Sequence, residues 1–394
     1  MKLPSHSAPS ALVLQPIIFV VGARPNFVKI APLLRAMSAH EASVASYLVH
    51  TGQHYDKNMN DQFFSDLNLP APNINLNVGS GSHATQTADI MKRFEPVVDD
   101  LKPSCVVVVG DVNSTLACAL VAVKKGVPVA HVEAGLRSYD RSMPEEINRI
   151  LTDQISDRLY TTERSAISNL MREAIPKERV MFAGNVMIDS VQFNRSSTRS
   201  TELILENLGI DPVIWLKTVG YGLVTLHRPS NVDDPAVLAK LMAVLLEVSK
   251  SLPLILVLHP RTQSQLVRFG LLALIDSDRM VVLPPQGYLD MLGLLGSAKV
   301  VLTDSGGLQE ETTALGVPCL TLRNSTERPI TLEQGTNTLV GLDRELILSN
   351  LVAVLRGESK KGCMPELWDG CAAERIATDL FQWLSQATPR TVTA

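Results

Sequence analysis

Short runs of apolar, mostly β-branched residues alternate with longer amphipathic segments along most of this chain. In the first half, runs typical of buried strands occupy residues 17–21, 105–109 and 127–132. Apolar residues at helical spacing fill the segments between them, at 25–39, about 85–101, 113–125 and 145–156. Near-continuous apolar strands separated by helices are typical of a parallel sheet that is covered on both faces.

The alternation pauses at a polar stretch, QFNRSSTRSTE at 192–202, and then starts again. The new strand-like runs occupy residues 222–226, 253–258, 280–284, 299–303 and 318–322. The pattern therefore predicts an α/β protein of two doubly wound parallel-sheet domains that face each other across a cleft. We expect a loose tail at 1–15, domains at 16–194 and 195–371, and a C-terminal helix at 372–394 that is able to pack back on the first domain.

Composition narrows the class of protein without identifying it. The chain has 394 residues, 45% hydrophobic and 19% charged, which suits two globular domains. Its net charge of −4 shows no basic excess, so we expect neither nucleic acid nor a membrane as partner. Five cysteines form no CxxC pair, and Cys105, Cys118 and Cys319 lie in apolar runs, which favours buried, reduced thiols and a cytoplasmic protein.

The ends of the predicted strands are the positions where a ligand is expected. In open α/β sheets, ligands bind beyond the carboxyl ends of the strands. The residues at these ends are Gly22–Arg24, Gly110–Asp111, Glu133, His227–Arg228, His259–Arg261 and Asp304–Gly307.

Two of these turns are suited to binding an anion. The first, VVGARPN, lacks GxGxxG, so a nicotinamide dinucleotide is not expected there, but Arg24 and Lys29 lie at the start of its helix. The second, TDSGGLQEE at 303–311, joins a strand to a helix through two glycines, an arrangement that presents free N–H groups to a phosphate. Glu311, on the second turn of that helix, is placed to accept hydrogen bonds from sugar hydroxyls. The second domain is therefore predicted to hold a nucleotide diphosphate.

Three carboxylates in the first domain are candidates for acid–base chemistry. Asp111 and Glu133 follow apolar strands, where a carboxylate is costly unless it is paired or used. Glu145 follows Pro144 at a helix start, where the helix dipole alone would explain it, and an i,i+4 ion pair with Arg149 is expected. From the residues alone, catalytic and structural roles stay open.

The ordered motifs resemble those of one enzyme family. They are GARPNFVK, HTGQHY, GDVNSTLA, HVEAGLRS, MPEEINR, LHRPSN, PQGYLDM, TDSGGLQEE and NSTERP. Together they resemble the non-hydrolysing UDP-N-acetylglucosamine 2-epimerases. The resemblance implies two Rossmann-like domains in a glycosyltransferase-B-like arrangement, a homodimer, and a UDP-sugar substrate. It also implies a reaction in which UDP is eliminated to give 2-acetamidoglucal and then added back, with no redox cofactor and no metal.

The same resemblance implies roles for individual residues. Asp111, Glu133 and Glu145 take the acid–base positions, without a choice of which serves which face of C2, and His227 assists the departure of UDP. The substrate-binding positions are Arg24, Lys29, Arg149, Gln286, Met291, Ser305, Gly306, Gly307, Glu311 and Arg328. Met291 stands where some relatives have a phenylalanine against the uracil. His54 is either a supporting residue or a structural one, and Asp140, Arg141 and Glu146 are expected to be solvated charges.

Two departures from the simplest relatives concern the substrate. LHRPSNVDD and RSMPEEINRILTDQISD favour relatives that act on modified sugars such as UDP-2,3-diacetamido uronic acids, whereas TERPIT favours UDP-N-acetylglucosamine. We predict UDP-N-acetylglucosamine, used to make surface polysaccharide precursors. A hydrolysing epimerase, a glycosyltransferase of the same fold and a nucleotide-sugar sensor are the alternatives.

Control by a second substrate molecule, known in several relatives, is expected to be absent. Asp56 and Thr85 occupy positions where those relatives have a glutamine and an arginine, so the second diphosphate loses a cation and meets an anion.

Overall fold

The computed structural model describes residues 15–40, 44–53, 57–210, 219–275 and 278–386. Within them lie two parallel sheets with helices between the strands. The predicted tail falls almost entirely in residues 1–14, which are outside the described residues.

The strands are short and mostly apolar. The first sheet contains β1 Ile17–Val21, β2 Ser46–His50, β3 Ile74–Asn75, β4 Cys105–Val109, β5 Val129–Ala134, β6 Arg158–Thr161 and β7 Val180–Phe182. The second contains β8 Gly222–Leu226, β9 Leu254–Leu258, β10 Met280–Leu283, β11 Val300–Thr303, β12 Cys319–Thr321 and β13 Asn337–Leu339.

Helices connect successive strands in both halves. In the first half they are α1 Arg24–Met37, α2 Lys57–Asp66, α3 His83–Leu101, α4 Asn113–Lys124, α5 Pro144–Ile155, α6 Arg164–Arg172 and α7 Val186–Asn194. The later ones are α8 Thr201–Asn207, α9 Pro229–Val232, α10 Pro235–Ser251, α11 Pro260–Arg268, α12 Tyr288–Ser297, α13 Gly306–Leu315, α14 Pro329–Glu333, α15 Arg344–Leu355 and α16 Ala372–Gln386. Short 3-10 helices lie at Ser38–His40, Lys177–Arg179, Arg195–Ser197 and Leu272–Leu274.

Strand order places a switch point in each sheet. The first sheet runs β3-β2-β1-β4-β5-β6-β7 and the second β10-β9-β8-β11-β12-β13, and all neighbouring pairs are parallel. The winding direction reverses between β1 and β4, and again between β8 and β11. The residues that follow these strands therefore line the crevices where ligands bind in such sheets.

The sheets are covered on both faces, as the uninterrupted apolar strands predict. Every residue of β1 and of β4 is buried. The last helix, α16, adds Ile376, Leu380 and Leu384 to the same core as β1 and α1. Its first two backbone N–H groups, those of Ala372 and Ala373, donate to the carboxylate of Asp189. The first-sheet core is thus completed by the far end of the chain.

The chain crosses between the sheets twice. It leaves the first half through Arg195–Ser197, after which α8 packs against the second sheet. It returns after Cys363, whose backbone N–H donates to the carbonyl of Gln334. Trp368, fully buried, then donates from Nε1 to the carbonyl of Thr162 in the first half.

Most of the predicted elements are confirmed, with two kinds of error. The strands β2, β3, β6, β7 and β13 were not predicted; they lie toward the sheet edges, and each is either at most four residues long or, like β2, interrupted by polar residues. The strand expected at 127–132 runs instead from Val129 to Ala134, so that Glu133 lies inside it rather than after it. Cys105, Cys118 and Cys319 are buried free thiols, as predicted. In the described part of the chain, no helix combines the length and apolar character that crossing a bilayer requires.

Candidate functional site

Glu133 occupies an irregular position near the end of β5. Its φ is +73°, a left-handed value that is strained for a glutamate, and the pairing of β5 with β6 shifts between Val132 and Ala134. This bulge redirects the side chain, which is buried against Lys29 on the second turn of α1. Nζ of Lys29 lies 2.5 Å from Oε2 of Glu133.

Arg328 contacts the same carboxylate from the second half of the chain. Its Nη2 donates to Oε1 of Glu133 over 2.7 Å, and its Nε lies 2.9 Å from Oε1 of Glu310. Burial alone would raise the pKa of Glu133, but Lys29 and Arg328 together lower it below its usual value. Burial raises the pKa of Glu310. Arg328 therefore bridges the ionised Glu133 of the first sheet and Glu310 on a helix of the second half.

Asp111 and Arg149 form a second, looser pair in the first half. Asp111 follows β4, and its Oδ2 lies 3.7 Å from Nη1 of the fully buried Arg149. The side chain of Asp111 is 22% exposed, so solvent or a ligand can reach it. The amide of Asn148 donates to the backbone carbonyl of Asp111, which anchors this turn to α5.

The charges at the start of α5 differ from expectation in two respects. Glu146, expected to be solvated, is 1% exposed and accepts hydrogen bonds from the backbone N–H groups of Ser138 and Tyr139. Arg149 pairs with Glu146 at 3.4 Å and not with Glu145. The reason is helical rotation, which turns Glu146 toward the core and leaves Glu145 partly exposed. Glu145 makes no hydrogen bond or ion pair with any residue that the structure describes.

His227 is held by an aspartate at the switch point of the second sheet. Its Nδ1 lies 2.9 Å from Oδ1 of Asp304, and its ring is 37% exposed. The buried Asp304 also accepts from the backbone N–H groups of His227 and Arg228 and from the amide of Asn231. Burial would raise the pKa of Asp304, but hydrogen bonds and the His227 ring lower it. Nε2 of His227 is thereby left for a ligand.

The N-terminus of α13 has the geometry expected for an anion site. Ser305 is the N-cap residue, with no side-chain hydrogen bond to the helix, and α13 begins at Gly306. A Cβ on Gly306 would lie 2.5 Å from Oε1 of Glu327, so close packing requires glycine there. Glu327 is in turn held by Arg323 at 2.8 Å and by Arg228 at 3.4 Å. Gly307, half-buried, follows on the first turn.

Glu311 directly follows Glu310, the residue of α13 that pairs with Arg328. It is buried, and burial together with neighbouring Glu310 raises its pKa to about 8. Free N–H groups at the start of α13 and a carboxyl on its second turn can bind a phosphate and hydroxyls respectively.

Three further predicted site residues are Arg24, Gln286 and Met291. Arg24 begins α1 and lies 5.7 Å from the centre of the Phe63 ring. Gln286 donates to the carbonyl of Pro284, and Met291 packs on the second-sheet core. Among the described residues, no hydrogen bond or ion pair joins Gln286 or Met291 to Glu133 or its cations.

Some predictions cannot be compared with the structure, and others missed residues. His54 and Asp56 lie outside the described residues, so the loss of regulation stays a prediction. Glu310 and Glu327 were not predicted as site residues, although each is next to a predicted one in the sequence. In the structure Glu310 pairs with Arg328, and Glu327 pairs with Arg323 and Arg228. Within the described ranges, no group of three or more His, Cys, Asp or Glu side chains is arranged to hold a metal ion. The expected absence of a metal and a redox cofactor stays a prediction.

Comparisons with known proteins agree on one family. The chain matches the family model described as UDP-N-acetylglucosamine 2-epimerase over residues 35–380. A UDP-N-acetylglucosamine 2-epimerase of Methanococcus maripaludis is 41% identical over 340 residues, covering 86% of this chain and 91% of that protein. The UDP-2,3-diacetamido-2,3-dideoxy-D-glucuronate 2-epimerase of Pseudomonas aeruginosa is 41% identical over 337 residues, covering 85% of this chain and 90% of that protein. The crystal structure of the Methanocaldococcus jannaschii UDP-GlcNAc 2-epimerase in complex with UDP-GlcNAc and UDP matches with a TM-score of 0.84 and 39% identity, covering 93% of this chain and 99% of that one.

Proposed function

This chain belongs to the UDP-N-acetylglucosamine 2-epimerase family, and from that membership we propose that it interconverts UDP-N-acetylglucosamine and UDP-N-acetylmannosamine without releasing UDP as a product. Its two Rossmann-like sheets have the glycosyltransferase-B-like arrangement of the solved relatives. The observation that carries the proposal is the bridge of Lys29, Glu133 and Arg328, which brings an ionised carboxylate and two cations to one point between the sheets.

The proposed reaction begins with loss of UDP. The bond between C1 and the diphosphate oxygen breaks, and its electron pair leaves with UDP. Cations and N–H groups stabilise the charge that develops on the diphosphate. The N-terminus of α13 supplies the N–H groups of Gly306 and Gly307 and the hydroxyl of Ser305, and Lys29 and Arg328 supply the cations. His227 assists departure through its exposed ring.

Loss of the C2 proton follows and gives 2-acetamidoglucal. A carboxylate takes the proton, so the acid–base groups must lie on both sides of the sugar ring for the product to be the epimer. Asp111, Glu133 and Glu145 are assigned to this work. Re-addition of UDP at C1, with a proton delivered to the other face of C2, completes the cycle, so that no atom is gained or lost.

The binding assignments rest on the motifs that this chain shares with the family. Arg24 and Arg149 contribute cations near the sugar and phosphates, Gln286 and Met291 contact the uracil, and Glu311 accepts hydroxyls. We also propose that the protein is a cytoplasmic homodimer supplying precursors of surface polysaccharides, with its two domains divided near residue 195.

The two alternatives to this function are a modified uronic acid as substrate and a hydrolysing reaction. The 41% identity to a diacetamido-glucuronate epimerase supports a modified uronic acid substrate. A hydrolysing epimerase would use the same groups and differ only in releasing UDP and the free sugar. A glycosyltransferase or a sensor of the same fold would give no chemical role to the carboxylates of the first sheet, which disfavours both.

One assay tests the proposal against these candidates. Purified protein is incubated in D2O with UDP-N-acetylglucosamine alone, and proton NMR follows C1 and C2 with no nicotinamide added. The expected result is UDP-N-acetylmannosamine, with deuterium at C2 of both epimers. Epimerisation that retained the C2 hydrogen would refute the mechanism, and free UDP with N-acetylmannosamine would identify the hydrolysing reaction. Absence of any reaction, with turnover of the diacetamido uronic acid nucleotide, would identify the other substrate.

A further inference from the structure

A buried row of charges lies beneath the two strand ends that carry Asp111 and Glu133. His131 on β5 is fully buried, and its Nδ1 lies 2.7 Å from Oδ1 of Asp153 on α5. Its Nε2 lies 2.8 Å from the carbonyl oxygen of Gly110. None of the steps proposed above uses His131 or Asp153.

The partners of His131 determine how many protons its ring carries. The carbonyl of Gly110 can only accept a hydrogen bond. Asp153 also receives Nη2 of Arg137 at 2.7 Å and the backbone N–H of Gly135 at 3.0 Å. Arg137 always carries a positive charge, and its guanidinium together with the Gly135 N–H holds Asp153 as an ionised carboxylate that only accepts, apart from any charge on His131. Both ring nitrogens of His131 therefore face acceptors, which requires an imidazolium that donates from each.

This imidazolium fixes the backbone of the β4 turn. Gly110 has a φ of +65° and directly precedes Asp111. A Cβ on Gly110 would lie 3.1 Å from Nζ of Lys29, so glycine at this position leaves room for the cation that binds Glu133.

The other half of the pair fixes the end of β5. Asp153 accepts from the N–H of Gly135, two residues after Glu133 and just beyond the bulge. One buried ion pair is thus hydrogen-bonded to the backbone at Gly110, next to Asp111, and at Gly135, two residues after Glu133.

We propose that His131 is a positioning residue, held as an imidazolium by Asp153, that sets the distance and direction between Asp111 and Glu133. The proposal rests on the epimerase function, in which these two carboxylates serve the sugar ring. Because a displacement of about 1 Å in such groups can lower a rate about 100-fold, the pair matters to catalysis without touching the substrate.

The protonation state can be observed directly in the wild-type protein. The chain has eight histidines, and nitrogen NMR of protein labelled at the histidine rings separates protonated nitrogens from those with a lone pair. The His131 signals are assigned in the wild-type protein by through-bond correlation from the ring to the backbone amide of His131, so that no variant is needed. Near neutral pH we expect both nitrogens of His131 to be protonated in the free enzyme. A lone-pair nitrogen on His131 would overturn the proposal, even if every variant failed to fold.

Kinetics then test what the ion pair positions. In H131Q the glutamine can donate to Gly110, but its carbonyl would face Asp153, so we expect kcat to fall about 100-fold with the Kd of UDP unchanged. The matched control is H50Q, at a buried histidine that ends β2 in the same sheet, which should retain the wild-type kcat. A normal kcat in H131Q, or equal losses in H131Q and H50Q, would contradict a positioning role. If the wild-type protein did not turn over the nucleotide sugar at all, the proposed function would fail, while the NMR result would still decide the state of His131.

Discussion

The Nη2 atom of Arg328 donates a hydrogen bond to Oε1 of Glu133 over 2.7 Å, which joins residues that are 195 positions apart in the chain. The side chains are 5% and 2% exposed. Because neither charge can be solvated if the other is removed, this contact matters to the stability of the protein as well as to its chemistry.

Removing the guanidinium should destabilise the protein more than removing an exposed one. In R328Q, Glu133 and Glu310 lose their shared cation, so we expect the free energy of unfolding to fall by about 3–5 kcal/mol. In R344Q, which breaks a pair with Glu247 in which the arginine side chain is 51% exposed, the loss should be much smaller, because solvent screens the pair. Urea unfolding of both variants measures the difference. Equal losses would mean that the bridge is solvated in solution.

Adjacent glutamates on α5 should have opposite phenotypes. E145Q is expected to lower kcat by about 10²–10⁴ because it removes a proton-transfer group, with unfolding unchanged. E146Q should destabilise by about 1–3 kcal/mol, because it weakens the buried acceptor of two backbone N–H groups. Steady-state kinetics and urea unfolding are run on both. A normal kcat in E145Q would exclude Glu145 from proton transfer.

The histidine held by Asp304 should act on the leaving group rather than on binding. H227Q is expected to lower kcat by about 100-fold or more while the Kd of UDP changes little. An effect of H227Q confined to KM would show that His227 only binds the nucleotide.

Glu163 should make the stability of the protein fall as pH rises. Burial raises the pKa of Glu163 from 4.5 to about 7, although the Ser165 hydroxyl and Arg328 oppose the shift. The folded state therefore holds a proton that the unfolded state releases between pH 4.5 and about 7. The stability that the protonated carboxyl of Glu163 contributes is complete below pH 4.5 and is lost by about pH 7. Each pKa unit between the folded and unfolded values corresponds to about 1.4 kcal/mol of unfolding free energy.

The substitution that tests this is E163Q, which replaces the carboxyl by a neutral group of the same shape. Unfolding free energies at pH 4.5 and pH 8 should differ less in E163Q than in the wild type. E178Q, at an exposed glutamate of the same half, should leave the wild-type difference in place. A difference unchanged by E163Q would show that other carboxyls are responsible.

The strands with uninterrupted apolar residues were predictable because both of their faces are buried. β1 and β4 are such strands, whereas β6, with the sequence RLYT, pairs near one side of its sheet and has no such signature. Pattern alone therefore finds the sheet centres, where the switch points lie, and misses the margins.

The site was predictable as a set of strand ends but not as a set of contacts. The choice between Glu145 and Glu146 depends on about 100° of helical rotation, which charge alone does not reveal. The bulge at Glu133 depends on the pairing of β5 with β6, and the contact of Arg328 with Glu133 on how two sheets meet. These are properties of tertiary packing, and the local sequence carries no signal for them.

The two passages of the chain between the sheets limit how the halves can move. A single connection would act as a swivel, with rotation allowed in all directions. This chain connects the two halves twice, at Arg195–Ser197 and again after Cys363. Trp368, bonded to Thr162, holds the second connection against the first half. Two such connections constrain rotation of one half against the other more than a single connection would, and they hold the second half, which carries Arg328, against the first half, which carries Glu133.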